Sequence, residues 1–377
     1  MNNDLIIPIT SACLNVTDAC NFNCKYCFVN HQLNHMSFQI ADDTCKWLLS
    51  NSNTPKIFFF GGEPTLRWHD IVVPLVEKYP EIEYSITTNG FVLDKEKIDF
   101  LSKHNFAVML SMDGNELTQS YNRNSNSFKH LDSIIPYLLE KIPLINFRGT
   151  IIPDTCMHTF ENICYAYNKG FKICYFTINI FEEWSTEDRL ILEEEIKKFT
   201  LAYINSWVNN KEFINFTPFS DMIKLLVKKE LNLLDNKVNI YKCGLGRGYG
   251  AIDYKGDIYT CQEIVTYREN NEKFRIGNIY TGLNKDNLNN LAQEIVNDLP
   301  VVNNIAECGE CPLKFCCKKN TCQVNNFICN QHCLIQSENQ CWWNLLLYKY
   351  AALSISILQN HSNFQKYMED IILEKEG

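Results

Sequence analysis

Residues 20–28 read CNFNCKYCF, a CxxxCxxC triplet formed by Cys20, Cys24 and Cys27 in a short polar segment that follows an apolar stretch. Thiols grouped this closely suit a metal cluster better than a core. Three thiolates on one loop can hold three irons of a four-iron four-sulfur cluster and leave the fourth iron open to a small molecule. Zinc is the alternative, although no histidine stands at zinc-finger spacing and the nearest imidazoles are His31 and His35. Tyr26, just before Cys27, offers a flat ring for a bound heterocycle or for ordinary packing.

Outward from the triplet, short β-rich runs alternate with amphipathic stretches up to about residue 180. The runs at 12–16, 56–60, 84–88, 107–111, 145–152 and 174–180 are the strand candidates. The stretches at 37–50, 94–104, 127–140 and 158–170 have helical periodicity, with Ser37 and Ser127 as N-caps and Gly170 as a stop. Alternation of this kind predicts parallel βα units. Six of them build an α/β fold, an open or partial (β/α)6 barrel whose active site lies on the loops after the strands. The triplet follows the first strand, while GGEP (61–64), TTNG (87–90) and SMDG (111–114) follow the next three, so the unusual sequence falls on one rim.

Beyond the barrel, Ser185 opens a long helix with Asp188 in capping-box spacing, and a second helix covers 219–231. From about 240 the texture changes to short turns, a DYKGD hairpin signal at 253–257 and a dense run of cysteines. We divide the chain into a barrel (1–182), a helical bridge (183–238), a cysteine-rich domain (239–350) and a helical tail (351–377).

Composition narrows the function classes. A net charge of -9 disfavours binding to phosphate backbones, which needs clustered Lys and Arg. No run of about 18 apolar residues could span a bilayer, and MNNDLIIPIT lacks the form of a signal peptide. We therefore expect a cytoplasmic protein with neither nucleic acid nor membrane as partner. The 18 cysteines then point to metal rather than to disulfides. Cys45, Cys156, Cys164 and Cys174 lie in apolar periodic surroundings and are expected to be small buried hydrophobes, with Cys13 packed in a strand.

CxxxCxxC with an aromatic before its last cysteine, followed by GGEP after the next strand, closely resembles the radical S-adenosylmethionine (SAM) enzymes. The resemblance implies that Cys20, Cys24 and Cys27 hold a cluster whose open iron chelates the methionine part of SAM, with Gly61, Gly62 and Glu63 on its amino group. Ser111 and Arg123 match positions that contact SAM in related maturases, Ile180 lines the adenine site, and Arg148 is another cation for the carboxylate. A serine at a strand end and an exposed arginine, as Ser111 and Arg123 are read here, also have plain structural explanations.

The later cysteines resemble the SPASM domain, a module that binds auxiliary iron-sulfur clusters. Cys243, Gly256 and Cys261 match its opening hairpin, Cys308, Cys311 and Cys317 its middle, and Cys322 and Cys341 complete it. Four residues rather than three separate Cys317 from Cys322, and the adjacent Cys316 leaves the register ambiguous. The resemblance implies one auxiliary cluster on Cys243, Cys261 and Cys322 and another on Cys308, Cys311, Cys317 and Cys341, giving three four-iron clusters in all. Cys329 or Cys333 could supply the missing ligand, or a substrate thiolate could occupy it; structural zinc is the alternative.

SPASM enzymes mostly modify ribosomally made peptides. The resemblance implies reductive cleavage of SAM to a 5'-deoxyadenosyl radical, hydrogen abstraction from a precursor peptide, and a cysteine thioether or other cross-link as product. A ferredoxin or flavodoxin would supply the electron. Sulfatase maturation is the runner-up: those enzymes carry an acidic residue after the second hairpin cysteine, where this chain has Gln262 and then Glu263, the two candidates for a catalytic group. A non-catalytic electron-transfer protein is the third reading. With 19 residues before Cys20, no leader-recognition domain is expected there, and leader binding falls to the barrel, the bridge or a separate protein.

Overall fold

The computed structural model describes residues 7–29, 31–230, 246–266, 271–303, 305–317 and 322–373. In chain order the elements are β1 (Ser11–Thr17), α1 (Phe38–Asn51), β2 (Lys56–Gly61), α2 (Val73–Lys78), β3 (Glu83–Thr88), α3 (Lys95–Lys103) and β4 (Ala107–Ser111). They continue with α4 (Glu116–Asn122), α5 (Ser127–Lys141), β5 (Asn146–Ile151), α6 (Thr159–Lys169), β6 (Ile173–Ile178), α7 (Thr186–Val208), β7 (Asn215–Phe216) and α8 (Thr217–Glu230). The cysteine-rich part supplies β8 (Tyr249–Ile252), β9 (Asp257–Tyr259), α9 (Gln262–Thr266), β10 (Arg275–Asn278), β11 (Gly282–Leu283), α10 (Lys285–Asn303), α11 (Ala306–Glu310) and α12 (Gln323–Asn330). Last come α13 (Glu338–Leu358) and α14 (Ser362–Leu373). All six predicted strands are present, each followed by helix as parallel βα units require.

The chain forms two compact units, Met1–Ser111 with Asn239–Gln336, and Met112–Val238 with Ser337–Gly377. In the first, β1, β2, β3 and β4 run parallel in sequence order. Alternate residues of β2 explain its seat: Ile57 and Phe59 are buried, whereas Phe58 and Phe60 are half-buried on the other face. Phe59 stacks on Tyr84 and Phe106 at ring-centroid distances of 5.8 and 6.2 Å. On the far side of β1 lies β8, parallel to it, with Ser11 opposite Tyr249 and Leu14 opposite Ile252. The predicted DYKGD hairpin follows: Gly256 takes φ 82°, and β8, β9, β10 and β11 continue as an antiparallel ladder.

In the second unit, β5 and β6 pair in parallel from Asn146–Ile173 to Ile151–Ile178, and β7 adds two residues. Phe199 on α7 meets the rings of Phe216 and Phe219 edge-on, each at 5.1 Å. Helix α13, which packs on α7 and α8, buries Leu346, Leu347, Tyr350, Ala351 and Leu358 and continues without a break through residue 350.

The end signals hold with one correction. The Ser37 side chain accepts from the Ile40 N–H, Gly170 closes α6 at φ 97°, and Ser185 and Asp188 form a reciprocal capping box. Ser127 is not a cap. It is the first residue of α5, and its buried hydroxyl donates to the Asn124 carbonyl, so Asn126 occupies the cap position. Cys13, Cys45, Cys156 and Cys174 are fully buried, as expected of small hydrophobes, whereas Cys164 on α6 is half-buried.

Candidate functional site

The loop that follows β1 is held by its own side chains. Asp18 accepts from Asn15 at 2.8 Å and from Asn34 at 2.9 Å, and the Thr17 hydroxyl accepts from the Ala19 N–H at 3.0 Å. Thr17 also pairs with the His35 ring at 2.8 Å, and His31 lies 3.4 Å from the Asp18 carbonyl, so both histidines brace the loop. Cys24 and Cys27 stand at the two ends of a tight turn in which the Cys27 N–H donates to the Cys24 carbonyl at 3.0 Å, with Tyr26 inside the turn.

The segment after β2 docks on this loop. The Gly62 N–H donates to the Thr17 carbonyl at 2.7 Å and the Glu63 N–H to the Ala19 carbonyl at 2.9 Å. A Cβ on Gly61 would lie 2.2 Å from the Thr17 oxygen, and one on Gly62 would lie 2.2 Å from the Ala19 oxygen. Two glycines are therefore required by contact between the two loops themselves. The Glu63 carboxylate is 1% exposed and accepts from the Thr65 N–H and hydroxyl, from the Thr88 hydroxyl at 2.7 Å and from the Asn89 N–H at 2.7 Å. Burial pushes its pKa up, and these four hydrogen bonds oppose the shift. GGEP thus ties the rim loops after β1, β2 and β3 together.

The donors around Cys20 fit a thiolate. Its sulfur accepts from the Phe22 N–H at 3.4 Å and from the Asn89 amide at 3.8 Å, and that amide also donates to the Asn21 side chain at 2.7 Å. Burial pushes the Cys20 thiol up to about 12, relieved in part by the Phe22 N–H. A cation beside it restores the thiolate, which is what an iron ligand requires. Three thiols on one loop, N–H donors aimed at one of them and no disulfide among the described cysteines match the donor set of a cluster.

The other predicted SAM contacts are distributed over both units. Ser111 ends β4 in the first. In the second, Arg123 forms an ion pair at 3.0 Å with buried Asp113, which also accepts from the Thr150 N–H at 2.9 Å and from Asn122 at 3.2 Å. The Arg148 guanidinium, on an exposed position of β5, lies 4.9 Å from the Tyr175 ring centre. Ile180 follows β6, is 9% exposed, and its carbonyl accepts from Asn339 at 3.1 Å.

Among the auxiliary candidates, Cys243 lies outside the described residues. Cys261 precedes α9, and its thiol is 3.5 Å from the Gln262 side-chain oxygen, which also accepts from the Tyr249 hydroxyl. Cys308, Cys311 and Cys317 are half-buried along a series of turns closed by Cys308 N–H to Ile305, Lys314 N–H to Cys311 and Cys317 N–H to Leu313. Cys316 differs from its neighbour: it is 5% exposed and its thiol donates to the Leu313 carbonyl at 3.3 Å. Cys333 is 2% exposed within an apolar cluster that includes Phe274 and Phe327, whereas Cys322 is exposed and Cys329 and Cys341 are half-buried.

Three contributors were not singled out in advance. Asn89 and Asp113 belong to rim motifs, TTNG and SMDG, and their position after strands three and four was the available signal. Asn339 stands in no motif.

Residues 14–196 match the radical SAM superfamily model. The chain is 31% identical over 164 residues to the radical SAM cyclopropyl synthase TigE of Paramaledivibacter caminithermalis, covering 37% of this chain and 35% of that protein. It is 24% identical over 300 residues to a cysteine-type anaerobic sulfatase-maturating enzyme of Clostridium perfringens, covering 72% of this chain and 78% of the relative. The chain thus spans about a third of the first relative's length and about three-quarters of the second's. The fold agrees with that of native anSMEcpe with bound AdoMet and Cp18Cys peptide, at TM-score 0.72 and 21% identity over 94% of this chain and 99% of that one. Streptococcus suis SuiB bound to precursor peptide SuiA aligns at TM-score 0.56 and 16% identity, over 88% of this chain and 76% of SuiB. The partial barrel expected from the sequence is thus the fold observed. With a cluster loop of three thiols, a GGEP segment docked upon it and a matching family model, residues 14–196 form a domain of the radical SAM superfamily, whose members are enzymes that work with SAM and four-iron four-sulfur clusters.

Proposed function

We propose that this enzyme matures a ribosomally made peptide, forming a cysteine thioether or another cross-link. The observation that carries the reading is the extent of the structural likeness: 94% of the chain, cysteine-rich part included, follows a fold whose solved example holds a peptide together with AdoMet. SuiB, bound to a precursor peptide, shares it over 88% of the chain.

When bound, SAM and its reduced cluster supply a 5'-deoxyadenosyl radical for hydrogen abstraction. The chain's residues prepare that chemistry. Cys20, Cys24 and Cys27 would hold the irons, and Asn89 and the Phe22 N–H, which donate to the Cys20 sulfur, would raise the cluster's potential. The GGEP segment fixes the loop, and Gly61, Gly62 and Glu63 would receive the amino group of SAM. Ser111, Arg123 and Arg148 serve its remaining polar groups and Ile180 its adenine. Cys243, Cys261, Cys308, Cys311, Cys317, Cys322 and Cys341 would hold the auxiliary irons, and the greater accessibility of half-buried Cys317 beside buried Cys316 supports the register that uses Cys317.

Sulfatase maturation is the second reading, favoured by 24% identity over 300 residues to a sulfatase-maturating enzyme. The side chain after Cys261 weighs against it. Gln262 is an amide whose oxygen accepts from the Tyr249 hydroxyl, so it cannot take up the proton that an acidic residue there would remove.

The test is coexpression with a short cysteine-bearing peptide encoded beside the gene, followed by mass and fragmentation analysis. A loss of two hydrogens with blocked thiol alkylation supports the cross-link. Conversion of a peptide Cys or Ser to formylglycine, with no cross-linked product, overturns it in favour of the second reading.

A further inference from the structure

The loop between β6 and α7 is secured from a helix more than 150 residues away in sequence. Asn339, in the first turn of α13, donates from one amide nitrogen to the Ile180 carbonyl at 3.1 Å and to the Glu182 carbonyl at 2.9 Å. Its side-chain oxygen accepts from Arg189 at 3.0 Å. Both amide hydrogens and the oxygen are used, which leaves one orientation: reversed, the NH2 group would face a guanidinium and the oxygen two carbonyls.

Neighbouring contacts hold the same geometry. Arg189 is paired with Glu338 at 2.7 Å, and its guanidinium lies 5.2 Å from the Trp342 ring centre. Trp342 packs on Trp184 at 5.3 Å, and the Trp184 indole N–H donates to the Asn179 carbonyl at 2.9 Å. The Asn179 N–H donates to the Ile151 carbonyl at 2.8 Å, and the Phe181 N–H to the Asn179 side chain at 3.2 Å. The loop is thus attached to β5 at one end and to α13 along its length. In barrels of this type the loops beyond the strands' carboxyl ends bind substrate, and a misplacement of about 1 Å there is costly.

We propose that Asn339 is a positioning residue for SAM, fixing through the Ile180 and Glu182 carbonyls the loop that presents Ile180 to the adenine. The inference rests on the proposed role of Ile180. Asn339 itself touches no substrate atom. It lowers the cost of ordering the loop when SAM binds, so its loss appears in SAM affinity rather than in turnover at saturation.

The decisive variant is Asn339→Asp, which keeps size and the Arg189 contact but sets a carboxylate oxygen against two carbonyls. Binding of radiolabelled SAM to the reconstituted, unreduced protein is measured by equilibrium dialysis, and SAM cleavage at saturating SAM in parallel. We expect N339D to weaken SAM binding about tenfold, as loss of two neutral hydrogen bonds to a binding loop can do. Cleavage at saturation stays within about twofold of wild type. Asn339→Ser, neutral but too short to reach either carbonyl, shows the same loss and serves if N339D fails to take up iron. Ile180→Ala separates the two levels. Weak binding in I180A with wild-type affinity in both Asn339 variants overturns the positioning role alone. Wild-type affinity in I180A overturns the adenine role of Ile180 and the inference with it.

Discussion

Replacing Gly62 with alanine isolates the contact on which the cluster loop depends. The substitution is free of backbone strain, because the left-handed glycine at this turn is its neighbour Gly61, at φ 137°. Its effect is steric: the new Cβ would lie 2.2 Å from the Ala19 oxygen, 2.6 Å from the Ala19 carbonyl carbon and 2.7 Å from the Asp18 oxygen. Relief to an ordinary contact needs the two loops to part by about 1 Å, which stretches the Gly62–Thr17 and Glu63–Ala19 hydrogen bonds from 2.7 and 2.9 Å beyond useful range. Two backbone hydrogen bonds at about 1 kcal/mol each and an overpacking cost of about 1–3 kcal/mol give about 4 kcal/mol. For a unit of about 200 residues that is a fall in Tm of about 10 °C. The assay is thermal unfolding of the anaerobically reconstituted protein by circular dichroism, with iron counted on the same sample. Gly309→Ala is the control, since nothing lies within 4 Å of a Cβ there. A G62A protein with wild-type Tm and full iron would refute the claim that GGEP glycines serve loop–loop contact.

Two further outcomes follow from particular side chains. Cys316→Ala should keep the full iron content, because that thiol is buried and donates to the Leu313 carbonyl, whereas Cys317→Ala should lose up to four irons; the reverse pattern in an iron assay would reassign the register. Asp42 is the centre of an ion cluster with Lys46 at 2.7 Å, Lys78 at 2.5 Å and the Tyr79 hydroxyl at 2.8 Å. Burial alone would raise its pKa, but these partners outweigh burial and lower it to about 2. A depressed carboxylate stabilises the fold at every pH above its unfolded value near 4, and the contribution is lost only as pH falls towards 2. Asp42→Asn should therefore lower stability by about 1 kcal/mol, a figure kept small by the half-exposed lysines. The Tm difference from wild type should stay constant from pH 6 to pH 8, and a difference that shrinks over that range would contradict the assignment.

The barrel was legible because its strands and helices carry different periods. KIFFF alternates buried and half-buried faces as β2, and the stretch after Ser37 buries one stripe as α1. Helix ends were legible where a local hydrogen bond decides them, as at Ser185, and misplaced at Ser127, whose hydroxyl turns inward to Asn124 instead. The pairing of β8 with β1 left no local trace, since parallel neighbours 238 residues apart share neither turn nor register signal. The Asn339 contacts to the loop after β6 were hidden for the same reason: an asparagine near a helix start reads as a surface residue until the chain returns to it. At the rim, the residue types of GGEP were legible but their work was not, because a glycine admits close approach by a ligand or by backbone equally well. Here the approach is made by Thr17 and Ala19.

The most direct test of the account is 5'-deoxyadenosine release from the anaerobically reconstituted protein with dithionite and SAM, compared with the Cys20→Ala/Cys24→Ala/Cys27→Ala variant. The wild-type protein is expected to release it, and the variant none while keeping the iron of its auxiliary clusters, about eight per chain. No 5'-deoxyadenosine from a fully iron-loaded wild-type sample, or undiminished release by the triple variant, would contradict it.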